Sequence, residues 1–214
     1  MNLFYLHRNP RRAAIAQCDK HVVKMVLETA QVLCTARHYH GYDAPYDPTH
    51  RNHPVVHWAQ GRRKHYRWLW NHGMALGEEY TRRYGEKHES HRVIESFSEN
   101  PVPQPFVGFR RPPATVPDEL KVYQTDLPRV LLFRVYYMTH KYEIAEWSNG
   151  RQPPEWWPYC DDGELQNHIV EQDYGRGFRS AEHFRTWLVR QLHTSSASRP
   201  TAFNRIHKLP DGYR

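Results

Sequence analysis

His21, Lys24 and Glu28 fall within one uninterrupted stretch, Cys18-Asp19-Lys20-His21-Val22-Val23-Lys24-Met25-Val26-Leu27-Glu28. On a helix of 3.6 residues per turn, positions two turns apart return to nearly the same face. His21 and Glu28 would then share an edge, with Lys24 between them. An imidazole, an amine and a carboxylate so aligned supply a proton donor, a nucleophile and a proton acceptor. Asp19 is the odd member. The helical wheel puts it inside the apolar stripe of Ile15, Val22 and Val26, where a carboxylate must be paired, hydrogen-bonded or poised at a cleft. The same residue types also suit the wet edge of an ordinary helix, with Glu28 satisfying a neighbouring cation.

A second cluster is His50-Arg51-Asn52-His53-Pro54-Val55-Val56-His57. His53 and His57 are one turn apart across a helix start, a spacing that can chelate a metal. Further ligands would have to come from Cys18, His21 or Glu28, and capping or surface histidines are the plainer alternative. A third is Gly61-Arg62-Arg63-Lys64-His65-Tyr66-Arg67-Trp68-Leu69-Trp70, with Arg82 and Arg83 further along. Cations interleaved with aromatic rings suit phosphate contacts and base stacking. Alternatively Trp58, Trp68 and Trp70 fill the core while Arg62, Arg63, Lys64, Arg67, Arg82 and Arg83 form a solvated face.

The elements that must position these groups are helical. Residues Arg12 to Arg37 contain no Pro or Gly and carry a core-facing stripe, and Asn9-Pro10 is a plausible entry. Asn52-His53-Pro54 reads as the next helix start, followed by Val55, Trp58, Tyr66, Leu69, Leu76 and Tyr80, with Gly85 as its stop. Gly61, Gly73 and Gly77 weaken it as one unbroken rod. A short polar helix fits Glu86 to Phe97, and six prolines between Asn100 and Pro117 make a connector. Asp126 can cap a helix ending at Asn149-Gly150, and a last helix begins near Ser180. With no convincing period-two run, the chain is expected to be mainly α: a compact multi-helix single domain with Pro-rich connectors. Residues 1–158 would form that domain, and 159–214 an irregular C-terminal extension packed on it.

Composition narrows the classes. The 214 residues are 39% hydrophobic and 14% aromatic, which excludes a disordered chain. No apolar run approaches the ~20 residues needed to span a bilayer, so no membrane association is expected. The first residues lack the pattern of a secretory signal, and three cysteines make no disulfide scaffold, so a reducing cytoplasm is expected. Cys34 and Cys160 read as small buried residues. Lys and Arg exceed Asp and Glu by seven (30 against 23), which favours phosphate backbones without establishing one as partner.

Asp19-x-His21 followed by Glu28 resembles the N-terminal helix of the phage-type pyrimidine-dimer DNA glycosylase family, in which an Asp-x-His pair precedes an essential glutamate. Gly41-Tyr42 and Asn52-His53-Pro54 are similar to blocks in bacterial relatives. A wider pattern of Glu79-Tyr80, Arg83-Tyr84-Gly85 and Pro154-Glu155-Trp156-Trp157 resembles further phage and bacterial proteins related to that family. The resemblance implies a helical DNA-repair enzyme acting on damaged or modified bases in double-stranded DNA without a cofactor. In that family the amine of the first residue attacks the sugar carbon and forms a Schiff base. The glutamate matching Glu28 stabilises the cationic sugar, and the histidine matching His21 lies beside the damaged site.

Two positions differ from the family pattern. Asn2 is bulky, so Met1 is expected to be retained and the nucleophile to be the Met1 amine or a lysine such as Lys20 or Lys24. Leu27 stands where an arginine often precedes the glutamate. A Schiff-base nucleophile must be unprotonated, and an α-amine, ordinarily titrating near ~8, meets this more easily than a lysine near ~10.4. The leading expectation is thus a DNA glycosylase, with or without abasic-site lyase activity, using Glu28, His21, Met1, Asp19 and Lys24. Two other classes fit the sequence. One is a metal-dependent enzyme acting on a nucleotide or modified base through His53 and His57. The other is a non-catalytic DNA-binding accessory protein. The base and the oligomeric state are not legible.

Overall fold

Leu3, Phe4, Tyr5 and Leu6 are each 4% exposed or less, so the start of the chain lies inside the core as a non-helical segment. A computed structural model describes residues 1–97, 105, 107–122, 124–125, 127–158 and 186. Among these, the order is α1 (Pro10–Ile15), α2 (Asp19–Tyr39), α3 (Pro54–Gly61), α4 (Arg63–Tyr84), α5 (Glu89–Glu95), α6 (Asp118–Lys121), α7 (Arg129–His140) and a 3-10 turn (Tyr142–Ile144). The described residues contain no strand, and none of their helices is long and apolar enough to cross a membrane. The mainly α architecture expected from periodicity is therefore what the chain adopts. Cys160, the expected helix near Ser180 and residues 159–214, apart from Thr186, lie outside the described residues.

α2 and α4 form the central pair. Asp19 meets Arg83 at one end and Thr29 meets Gly73 further along, so the two helices run antiparallel. α1 packs on α4, α3 on α2 and α4, and α5 on both. α7 reaches this core through the buried first segment. Phe4 stacks on His21 of α2 with ring centroids 4.2 Å apart and meets Tyr137 of α7 edge-on at 5.1 Å. The Arg134 guanidinium donates to the Leu6 carbonyl at 3.0 Å, tying α7 to the same segment.

The expected Arg12–Arg37 helix is in fact two. α1 ends at Ile15, and α2 restarts at Asp19 after a turn in which Gln17 and Cys18 are fully buried. The N–H of Asp19, an orphan donor at a helix start, is satisfied by the Glu146 carbonyl at 2.8 Å. That bond also explains why α7 stops at His140 instead of reaching Asn149: the chain must swing out to bring Glu146 to α2.

The helix expected from Pro54 to Gly85 breaks at Arg62, whose backbone is extended at φ −154°, and not at Gly73 or Gly77. Those two glycines are close-approach points within α4. A Cβ on Gly73 would sit 2.7 Å from the Thr29 methyl, and one on Gly77 would collide with the His91 ring. Gly77→Ala should therefore destabilise the fold by about 1–3 kcal/mol, the usual range for overpacking. Gly61→Ala, with open space around the added methyl, should be neutral or mildly stabilising. Denaturant unfolding of the two variants beside the parent checks this contrast.

Candidate functional site

Glu28 lies on the α2 face that receives the start of the chain, and its side chain is 11% exposed. Oε2 accepts the Asn2 N–H at 2.8 Å and lies 3.9 Å from the Met1 α-amino nitrogen. Oε1 lies 3.3 Å from Lys24 Nζ, one turn earlier on the same helix. A buried carboxylate is tolerated only when donors surround it, and here the first two residues supply most of them.

The chain start is held firmly enough to do this. The Met1 side chain is 1% exposed and packs against the core. The Asn2 side chain clamps Thr115, donating to its carbonyl at 3.0 Å and accepting from its hydroxyl at 2.5 Å. The bulk of Asn2 thus serves as an anchor.

His53 completes the group. It caps α3, its Nδ1 accepting the Val55 N–H at 3.2 Å, and its ring lies near the chain start and Glu28. Burial, followed by the nearby N-terminal charge, pulls its pKa below the ordinary histidine value, while Glu28 opposes the shift. With Nδ1 accepting, the neutral ring carries its proton on Nε2. No motif on α2 points to His53 as a neighbour of Met1 and Glu28. The only local signal is the cap-then-proline run Asn52-His53-Pro54.

Met1, Lys24 and Glu28 therefore meet, but two other expected members do not join them. His21 is 7% exposed, stacked on Phe4, with Nδ1 hydrogen-bonded to the Tyr137 hydroxyl. Burial, aided by Lys141 and Lys24, lowers its pKa to about 3. It is an uncharged packing ring at neutral pH and not an acid displayed beside Glu28. Asp19 sits at the far end of the α2–α4 pair, its Oδ1 2.7 Å from Arg83 Nη1. The requirement that a carboxylate in the apolar stripe be paired is met there by a structural partner.

Arg83 is likewise an interior residue. Grouped with phosphate-facing cations by its neighbours, it is 3% exposed. Its guanidinium binds Asp19, Glu79 Oε1 at 2.8 Å and the Gln17 carbonyl at 3.0 Å, while Arg151 holds both Glu79 oxygens at 2.6 Å. Arg83→Ala should cost about 3 kcal/mol, by leaving Asp19 without its cation, Glu79 with Arg151 alone and the Gln17 carbonyl without its donor. Arg82→Ala, on the exposed side of the same helix, should change stability by less than about 0.5 kcal/mol. Thermal melts of both variants read the difference.

The other cations of the tract remain accessible: Lys64 and Arg67 are exposed, and Arg62 and Arg63 are half-buried. Their interleaved aromatics turn inward. Trp58 and Trp68 are 9% and 8% exposed and donate their indole N–H groups to the Arg110 and Arg8 carbonyls. His65 stacks on Trp58 at 4.5 Å, donates from Nδ1 to the Trp58 carbonyl and accepts the Arg110 N–H at Nε2. His57 is exposed, with Nδ1 engaged by the Gln60 amide at 3.0 Å. Among the described residues no three His, Cys, Asp or Glu side chains converge as a metal site.

Burial pushes His21 and His72 down to about 3 and His65 to about 4. Below pH ~6.5 the unfolded chain takes up protons that these rings refuse, so stability is level above that pH and falls towards pH 4. Each ring contributes about 1.4 kcal/mol per pH unit to the decline. Denaturant midpoints across pH 4–8 measure it, and His65→Gln should flatten the slope.

Comparison with protein-family models, with curated proteins and with solved structures found no match.

Proposed function

We propose that this chain is a DNA glycosylase that removes a damaged or modified base, with the Met1 α-amine as nucleophile and Glu28 as the essential carboxylate. The observation that carries the reading is the shared oxygen: Glu28 Oε2 accepts the Asn2 N–H and lies 3.9 Å from the Met1 nitrogen. An ammonium cannot attack, so the amine first releases its proton to solvent while Glu28 stays ionised. The freed lone pair then bonds to the anomeric carbon as the C–N bond to the base breaks and the base takes up a proton from water, and the Glu28 carboxylate stabilises the positive charge developing on the sugar. His53, close to the chain start and Glu28, would help to position the amine for that attack.

The surroundings agree with a polyanionic partner. Lys20 and Lys24 are exposed on α2 beside Glu28. Between and beyond them Val23 and Leu27, each 40% exposed, present apolar side chains of the kind that wedge between unstacked bases. Lys64, Arg67 and Arg82 add exposed positive charge.

The test is base release from duplexes carrying a pyrimidine dimer or a modified pyrimidine. Glu28→Gln should lower the rate by about 10²–10⁴-fold, while duplex binding persists and weakens linearly in log–log with salt. His53→Asn preserves an N-cap and should cost up to ~100-fold in kcat through misplacement of the amine. Absence of base release by the parent protein, or release undiminished in Glu28→Gln, would contradict the proposal.

A further inference from the structure

The turn that presents His53 to Met1 has a second side. A cavity of about 210 Å³ opens there, lined by Thr35, His38, Tyr39, Arg51, Asn52 and His57 among others. Thr35 follows Glu28 by two turns of α2, so it shares the Glu28 face at about 10 Å along the axis. The cavity is smaller than the ~300–1,000 Å³ of sites for drug-sized molecules. That volume suits one planar ring system, and three ring-bearing residues, His38, Tyr39 and His57, are among those that line it.

Most polar atoms of the lining are already engaged. Thr35 Oγ1 donates to the Gln31 carbonyl at 2.8 Å and accepts the Thr49 N–H at 3.1 Å. His38 Nε2 pairs with the Tyr46 carbonyl at 3.1 Å, and His57 Nδ1 pairs with the Gln60 amide. The Asn52 amide and the Arg51 guanidinium have no partner among the described residues, and both side chains are exposed at the rim. A carboxamide both donates and accepts, matching the edge of a heterocyclic base. A guanidinium presents a rigid fork that matches a phosphate.

We propose that this cavity binds a single nucleotide unit. Its base lies against the aromatic lining with an edge on Asn52, and its phosphate sits on Arg51. Together with the DNA reading above, on which this clause alone rests, it would hold a second nucleotide two helical turns from the reacting sugar. Binding of free mononucleotide is independent of that reading.

The experiment is a titration of the full chain, followed by amide chemical shifts, with thymidine 5′-monophosphate, deoxyadenosine 5′-monophosphate, thymidine and inorganic phosphate in parallel. Saturable shifts at residues 35–39 and 51–60 are expected for at least one mononucleotide, weaker ones for the nucleoside and the weakest for phosphate. Arg51→Ala should weaken mononucleotide binding about tenfold, as loss of a charged hydrogen bond does, and leave nucleoside binding unchanged. Asn52→Leu should weaken both, and Glu28→Gln neither. Binding that survives in Glu28→Gln while base release is lost would separate the two sites. No saturable shift with either mononucleotide, phosphate binding as tight as mononucleotide, or unaltered affinity in both rim variants would each overturn the proposal.

Discussion

A nearly buried carboxylate sets the terms for the rest of this molecule. Glu28 projects from the middle of α2 with 8% of its residue surface exposed, and an ion so placed costs several kcal/mol unless donors surround it. Those donors come from the first two residues and from Lys24. The beginning of a chain ordinarily frays; here Leu3 to Leu6 thread the core, and Asn2 is clamped to Thr115. Apolar burial of that segment and satisfaction of the carboxylate reinforce each other. Their joint consequence is chemical, because an amine and a carboxylate are held side by side next to a half-buried imidazole.

The start of α2, where it meets the end of α4, is held by a different device. Arg83 gathers two carboxylates and the Ile15 and Gln17 carbonyls at the α1–α2 break, and Arg151 closes the set on Glu79. Every charge in this cluster has an opposite neighbour, so it has a structural role and leaves no group poised for reaction. At the Glu28 end the balance differs. One carboxylate faces the amine, Lys24 and His53, with Lys20 exposed one turn earlier on the same helix. Positive charge exceeds negative there, whereas in the interior cluster every charge is paired, as a fold requires.

Much of this was legible in residue spacing, and the losses have identifiable causes. α2 and α4 are long and strongly periodic, and Gly85, left-handed at φ 78°, ends α4 where a glycine stop is expected. The Lys24–Glu28 pair follows from one helical turn. Leu3 to Leu6 escaped because four residues outside any helix have no period to read; their burial comes from α2 and α7 closing over them. Arg82 and Arg83 look alike in a basic run, yet they are 100° apart on a helix. Leu69, Leu76 and Arg83 are spaced by sevens, and Glu79 lies one turn before Arg83, which together point Arg83 inward. His53 could not be joined to Met1 from sequence, since nothing local links a helix cap to a chain start about fifty residues away.

The most direct measurement is to mix the protein with a duplex containing an abasic site, reduce with borohydride and locate the covalent sugar by mass spectrometry of the digested protein. The expected product carries the adduct on the α-nitrogen of Met1, and its yield falls in Glu28→Gln. An adduct on the side chain of Lys24 or Lys20, or none at all, would contradict the assignment of the chain start as the reacting group.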